Sequence, residues 1–417
     1  MSYTLIESRS RRLPLTGAEA TKLRELGRRL ASDSRFWGDD QESARSVVQC
    51  RVRDDGTYDV SIDNAIGAVA VGDLSLIVRP KIPFSHFLML AEKSGRMPRV
   101  DPAIASVREG ASFWHLVART FVSVAESVLD RDLAKDYVER SGPQPFLRGR
   151  LHLLPTVMQW HTRASAEVVC SFEDYEADTP LNRLLKEAAL RVAASSLLSW
   201  EVRRRGLTIV DRMDGVGPYM ESDFGVCTDR RTRYYDDAVA LARNVIRGVG
   251  RLPQAGSANV SSFLLPTPRV VEDGIRAMLH SAMSVETRPW PHGRSKSLRG
   301  AGMTINPDLL FARQANAVGD VKYKLCDGSW NRADLYQSVA FAVGFGVSRS
   351  VIVGFSRSAP LPIESVVVGD RTVHQVLWRV SRRAQPEESA AAVVEQVEGI
   401  LATRLNLPDT DPRTQVA

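Results

Sequence analysis

Cysteine is scarce in this 417-residue chain: there are four, at Cys50, Cys170, Cys227 and Cys326, each standing alone. No CxxC pair occurs, which argues against a zinc cluster and against a disulfide framework; a reducing, cytoplasmic setting is expected. No uncharged apolar run reaches membrane-spanning length, so no membrane partner is expected. The start, Met1-Ser-Tyr-Thr-Leu-Ile-Glu7, lacks the basic-then-apolar layout of a secretory signal. There is no GxxxxGK[ST] loop. The nearest stretch, Gly293-Arg-Ser-Lys-Ser, has the wrong spacing, so the chain is not expected to hydrolyse nucleotides itself. His86, His115, His152 and His280 show no metal-ligand spacing and read as structural. No serine or cysteine has the setting of a nucleophile, and no internal repeat is visible.

What is present is the composition of a globular protein, 44% hydrophobic and 25% charged. The length predicts two or three domains. A net charge of +6 and a pI near 9.2 permit a polyanionic partner.

The first 165 residues read as a β-rich module with helices attached, an α+β region. Thr16 and Glu19 form a capping box for a helix over 17–32. Strands are expected at 47–52, 57–62, 68–71 and 74–80, then a helix from His86 and a long amphipathic helix over 112–136. Residues 166–255 read as a helical middle region. Thr179 caps and Pro180 opens a helix running to about Ser199. Arg203-Arg204-Arg205 reads as a charge cluster at that helix's C-terminus. A further helix is expected over 233–248. From 256 to 410 the pattern becomes α/β. A helix led by Pro268 carries Glu272, a basic glycine-bearing loop covers 287–301, and a strand–turn–strand follows. Then come a helix over 333–345, a buried-type strand at 350–355, two more strands, and a last helix over 388–404.

The strand–turn–strand holds the chemistry. Asp308 follows Pro307, and twelve residues later comes Asp320-Val321-Lys322. Asp320 and Lys322 are two apart on a strand and share one face. A hairpin centred on 314–315 sets Asp308 across from 320–322. Two carboxylates side by side repel, and burying them is costly unless something positive binds there. A divalent metal together with Lys322 supplies that charge, and hard oxygen-only ligands suit Mg²⁺. A surface hairpin with an ion pair gives the same bare pattern, so the surroundings decide. Glu272 on the preceding helix is a candidate third acid. Gln337, on the helix after the hairpin, is placed to position Lys322 or bond a phosphate. Lys324 shares the Lys322 face, and Arg294, Lys296 and Arg299 in the basic loop are candidates for the backbone of double-stranded DNA.

Pro307-Asp308…Asp320-x-Lys322 resembles the core of the PD-(D/E)xK nucleases. Taken with three further segments, the chain resembles the McrC family. These segments are Leu74–Leu90 with its I-V-R-P-K-I core, F-E-D-Y-E-A-D-T-P-L-N-R-L-L-K from Phe172, and Ala333-Asp334-Leu335-Tyr336-Gln337. The resemblance implies a nuclease subunit of an McrBC-type, modification-dependent restriction system. It implies an N-terminal region that docks on an McrB-like AAA+ GTPase hexamer and stimulates it, and a C-terminal PD-(D/E)xK-like α/β domain that cuts modified DNA with Mg²⁺. Metal and catalytic roles carry over to Asp308, Asp320 and Lys322, and to Glu272, although Val271 stands where the family usually has phenylalanine. Two other readings compete: a GTPase-activating adaptor whose nuclease core no longer cuts, and a stand-alone nuclease.

Overall fold

The computed structural model of the chain describes residues 1–32, 47–97, 113–163, 166–251, 260–292, 295–297, 304–312, 315–326, 330–358, 365–381 and 384–402. The chain divides into two compact units that interleave along the sequence. A helical unit contains Met1, Gly67–Ser75 and Val107–Leu264; a sheet unit contains Ser2–Ile66, Leu76–Ser106 and Leu265–Ala417. These units cut across the three consecutive segments 1–165, 166–255 and 256–410. Among the described residues no helix is long and apolar enough to cross a membrane.

In the helical unit, Phe113–Arg131, Pro180–Ala194, Trp200–Arg212 and Asp236–Gly248 pack their apolar stripes together. Trp114 stacks on Phe263 with ring centroids 4.2 Å apart, and its indole N–H donates to Ser195 Oγ at 3.0 Å. The first helix stops at Arg131, not at 136, because Asp132 adopts a φ of 100°. The chain then enters a strand, Asp136–Gln144, that pairs antiparallel along its full length with Val168–Glu176. The strand Arg150–Leu151 flanks the other edge of Val168–Glu176, and the helix Leu153–Arg163 follows it.

The T-P-L-N-R-L-L-K segment opens the helix Pro180–Ala194 as expected, with Thr179 accepting from the Asn182 N–H at 3.3 Å. Its polar residues act as scaffold. Asn182 donates to the carbonyls of Ala134 (2.8 Å) and Ala177 (2.7 Å) and accepts from Tyr235 Oη at 2.6 Å. Arg183 is bidentate to buried Asp223, both bonds 2.9 Å, and Lys186 donates to the Met213 carbonyl at 3.1 Å. This helix ends at Ala194, short of Ser199. The Arg203–Arg205 expectation is corrected too, because these residues lie inside the next helix. Arg203 does satisfy a helix C-terminus, but that of the preceding helix, donating to the Ala193 carbonyl at 3.0 Å, while Arg205 pairs with Glu126.

In the sheet unit, the N-terminal strands Arg11–Leu13, Tyr58–Ile62 and Val48–Val52 form an antiparallel sheet in that order, with the helix Gly17–Ser32 against it. The capping box is present: the Thr16 N–H donates to Glu19 Oε2 at 2.8 Å and the Glu19 N–H to Thr16 Oγ1 at 3.2 Å.

The C-terminal part comprises, in chain order, α1 (Thr267–Ala282), β1 (Leu309–Leu310), β2 (Ala317–Leu325), α2 (Arg332–Phe345), β3 (Arg349–Ser356), β4 (Val366–Val368), β5 (Arg371–Arg379) and α3 (Pro386–Ala402). The sheet order is β1-β2-β3-β5-β4. The three central strands are parallel, and the outer two pair antiparallel. β3 is buried along its whole length, as a strand covered on both faces should be. α1 crosses the helix Phe84–Lys93 at Gly274, where a Cβ would stand 2.4 Å from the Leu90 carbonyl oxygen. His86 is locked in this core. Its Nδ1 accepts from Trp378 Nε1 at 2.9 Å and its Nε2 donates to the Ala384 carbonyl at 3.1 Å.

Candidate active site

The hairpin has the register that brings the acids together. Leu309 pairs with Gly319 and Leu310 with Val318, so Asp308 and Asp320 are the next facing positions. Gly319 lets β2 lie close to both neighbours, since a Cβ there would stand 2.9 Å from the Val351 carbonyl oxygen on β3 and 3.2 Å from Leu309 Cβ on β1. Asp308 Oδ2 accepts the Val321 N–H at 2.8 Å. Asp320 is 3% exposed, and its Oδ2 lies 2.5 Å from Lys322 Nζ. Among the described residues that oxygen has no well-directed hydrogen-bond donor, so the ion pair leaves lone-pair capacity unused.

Asp308 is held well above the ordinary carboxylate range. Burial is the main cause, then the charges of Glu272 and Asp320, and a hydrogen bond to Asp320 adds to them. The charge effect places Glu272 within electrostatic reach of the pair. The Lys322 pKa moves up: burial opposes its charge, but the Asp320 and Asp308 carboxylates outweigh that. Lys322 also donates to Gln337 Oε1 at 2.7 Å. Lys324 is engaged rather than open, 2.9 Å from Asp334. Asp334 and Gln337 are three apart on α2 and share a face, so D-L-Y-Q reads as the helix edge that holds two strand lysines.

Asp308, Asp320, Lys322, Gln337 and the influence of Glu272 therefore meet at one place. Lys296 does not join them; it is exposed, with its ammonium 5.6 Å from the Phe345 ring centroid. Arg294 and Arg299 lie outside the described residues. Arg276 was not foreseen. Its Nε donates to the Asp308 main-chain carbonyl at 2.7 Å and its Nη1 to Asp273 at 2.8 Å, tying α1 to the start of the hairpin. The only signal for it was its position four residues after Glu272, on the same helix face.

Among the described residues no three His, Cys, Asp or Glu side chains stand as a ready-made metal cage. Mg²⁺ does not require one, since it commonly keeps several waters and takes one or two carboxylates. The oxygen-only donors, the under-satisfied Asp320 Oδ2 and the mutual repulsion around Asp308 all fit such a cation.

Fold and centre together define an α/β protein with a carboxylate–lysine centre on a mostly parallel sheet. The family described as McrBC 5-methylcytosine restriction system component matches residues 60–353, and the chain belongs to it, as its motifs led one to expect. Among solved structures the chain is similar to one in the tetradecameric assembly of Thermococcus gammatolerans McrB AAA+ hexamers with bound McrC. That match has a TM-score of 0.66 at 15% identity, covering 96% of this chain and 100% of the other, and it establishes a shared fold. A chain of the Thermococcus gammatolerans McrBC complex also matches, with a TM-score of 0.47 at 16% identity, covering 69% of this chain and 90% of that one. No curated protein matches.

Proposed function

We propose that this chain is the Mg²⁺-dependent endonuclease subunit of a GTP-dependent, modification-dependent restriction system, and that it docks on and stimulates an AAA+ GTPase hexamer. The observation that carries the catalytic half is the meeting of Asp308 and Asp320 with Lys322 at 2.5 Å from the latter carboxylate. Asp308 and Asp320 would hold the ion, with waters completing its shell, and Glu272, whose charge already acts on Asp308, would join through such a water. Bound there, Mg²⁺ supplies Lewis-acid polarisation of a phosphoryl oxygen and of water. Lys322 orients the attacking water and offsets the charge that develops on the phosphate. Gln337 keeps the Lys322 ammonium in place, and Arg276 keeps the Asp308 backbone in place. Water adds its oxygen to phosphorus and gives up a proton to solvent, while the bond from phosphorus to the departing strand's oxygen breaks and that oxygen takes up a proton from solvent. The substrate is modified double-stranded DNA.

Two observations support the partner half. The similar solved fold comes from an assembly of McrB hexamers with bound McrC. The helical unit also exposes several large apolar side chains along one stretch of chain, Phe146, Leu147, Leu153, Leu154, Met158 and Trp160, and exposed apolar surface of this kind marks protein-binding sites. We assign docking to this stretch.

Asp320→Ala tests the catalytic half. The variant is expected to bind the GTPase and raise GTP turnover like the wild type, yet to give no cut product from methylated DNA with GTP and Mg²⁺. Retained cleavage rejects the site. A wild-type complex that turns over GTP without cutting makes the chain a GTPase-activating adaptor instead.

A further inference from the structure

β2 loses register just where it carries the catalytic lysine. Val321 pairs with Val353 but Leu325 pairs with Phe355, so β2 has two residues more than β3 across this span, which includes Lys322 and Tyr323. Such irregularities re-aim side chains and give up ladder hydrogen bonds, so other interactions must hold the segment.

Those interactions come from the opposite face. The Tyr323 ring is buried, and the Lys81 ammonium sits 3.9 Å from its centroid. Phe355 closes another side, edge-on, with centroids 5.7 Å apart. Glu7 is fully buried beside them. Its carboxylate accepts from the Thr267 hydroxyl and from the Lys81 N–H at 3.4 Å, and it attracts the Lys81 ammonium. The buried Tyr323 hydroxyl is close enough to interact with the same carboxylate. Thr267 is the first residue of α1, the helix that carries Glu272 and Arg276. One buried carboxylate therefore touches both the start of α1 and the group that grips β2.

We infer that Glu7 and Lys81 are positioning residues for the nuclease: the pair clamps the irregular part of β2 against α1 and so sets the distance between Lys322, Asp320 and Glu272. This rests on the endonuclease reading above. Buried charged groups add little net stability compared with apolar packing, whereas a cation held over an aromatic face supplies direction.

The test uses the full chain with its GTPase partner and compares wild type, Lys81→Met, Lys81→Arg and Glu7→Gln. Four quantities are measured: thermal melting, Mn²⁺ affinity without DNA, kcat, and KM for DNA. Lys81→Met is expected to weaken Mn²⁺ binding and lower kcat by about 10-fold or more, with KM within about two-fold of wild type, the scale seen when groups orienting a metal's ligands are removed. Lys81→Arg is expected to restore most of both, because a guanidinium keeps the charge and stacks on the ring. Wild-type Mn²⁺ affinity and kcat in Lys81→Met overturn the inference, as does a loss that Lys81→Arg fails to relieve. Should Lys81→Met unfold, the isosteric Glu7→Gln decides: a folded variant with the same two losses supports the clamp, and one with wild-type values overturns it. A wild-type chain that neither binds Mn²⁺ nor cuts overturns the endonuclease reading and the clamp together; wild-type binding and cutting beside an unaltered Lys81→Met overturns the clamp alone.

Discussion

Asp308 is buried among like charges, and that has a measurable sign. Its pKa in the folded chain lies above the unfolded value near 4, so between those two values the folded state keeps a proton that the unfolded state has released. Stability contributed at this position therefore falls as pH rises through that window. Asp308→Asn removes the titration while keeping the shape. Without metal, the variant is expected to melt higher than wild type at neutral pH, with the difference closing as pH approaches about 4. Added Mg²⁺ reverses the order, because only the wild type has a carboxylate to offer, and wild-type affinity rises with pH as the proton is displaced. Melting curves with and without Mg²⁺ across pH check both statements; a variant no more stable than wild type at neutral pH rules out charge repulsion at Asp308. The facing of Asp308 and Asp320 and the reach of Gln337 to Lys322 are legible in the sequence because strand alternation and a short hairpin fix them locally. Arg276, Glu7 and Lys81 are not. Arg276 acts on a main-chain carbonyl, and Glu7 on residues far along the chain, so neither leaves a spacing to read. Lys324 looked open for DNA because its partner, Asp334, lies on a different element.

At the scale of elements, the position of α1 depends on a residue that has no side chain. Gly274 lets α1 approach the helix Phe84–Lys93 so closely that a methyl group there would press into the Leu90 carbonyl oxygen. Gly274→Ala must push the helices apart or bend one, at about 1–3 kcal/mol for overpacking, which outweighs the ~1 kcal/mol that alanine gains over glycine inside a helix. A lower melting temperature is expected, together with weaker Mn²⁺ binding, since α1 carries Glu272 and Arg276. An unchanged melt would mean that the crossing is looser than described. Most elements are legible where the signal is local: the Thr16–Glu19 capping box, the Thr179-Pro180 helix start, and the uninterrupted apolar run of β3. The strand Asp136–Gln144 is not, because Gly142 and Pro143 give it the composition of a loop and its only reason to be extended is its partner, Val168–Glu176, well downstream. The helix boundary at Arg131 rests on the backbone angle of Asp132, a conformation that aspartate tolerates better than most residues but does not advertise.

For the whole molecule, the two proposed activities reside in different compact units, so they are separable by mutation. Every side chain assigned to the proposed metal centre, Glu272, Arg276, Asp308, Asp320, Lys322 and Gln337, belongs to the sheet unit, and the exposed apolar side chains of 146–160 belong to the helical unit. The interleaving of those units was hidden from the sequence, because the chain enters the helical unit briefly at Gly67–Ser75 and leaves it again. Leu154 and Met158 are four apart on the helix Leu153–Arg163 and share a face, at 76% and 67% exposure. Side chains so exposed contribute little to the fold, so Leu154→Glu with Met158→Glu should leave the melting temperature and Mn²⁺ affinity as they are. Two carboxylates set into an apolar interface must be desolvated on docking, and truncating a central apolar anchor of an interface typically costs about 2 kcal/mol or more, a fall of roughly 30-fold in affinity. The double variant is therefore expected to lose GTPase binding and stimulation, and with them GTP-dependent cutting, while the metal centre stays intact. Full stimulation by this variant would move the docking surface elsewhere and leave the exposed apolar group in the helical unit without a partner.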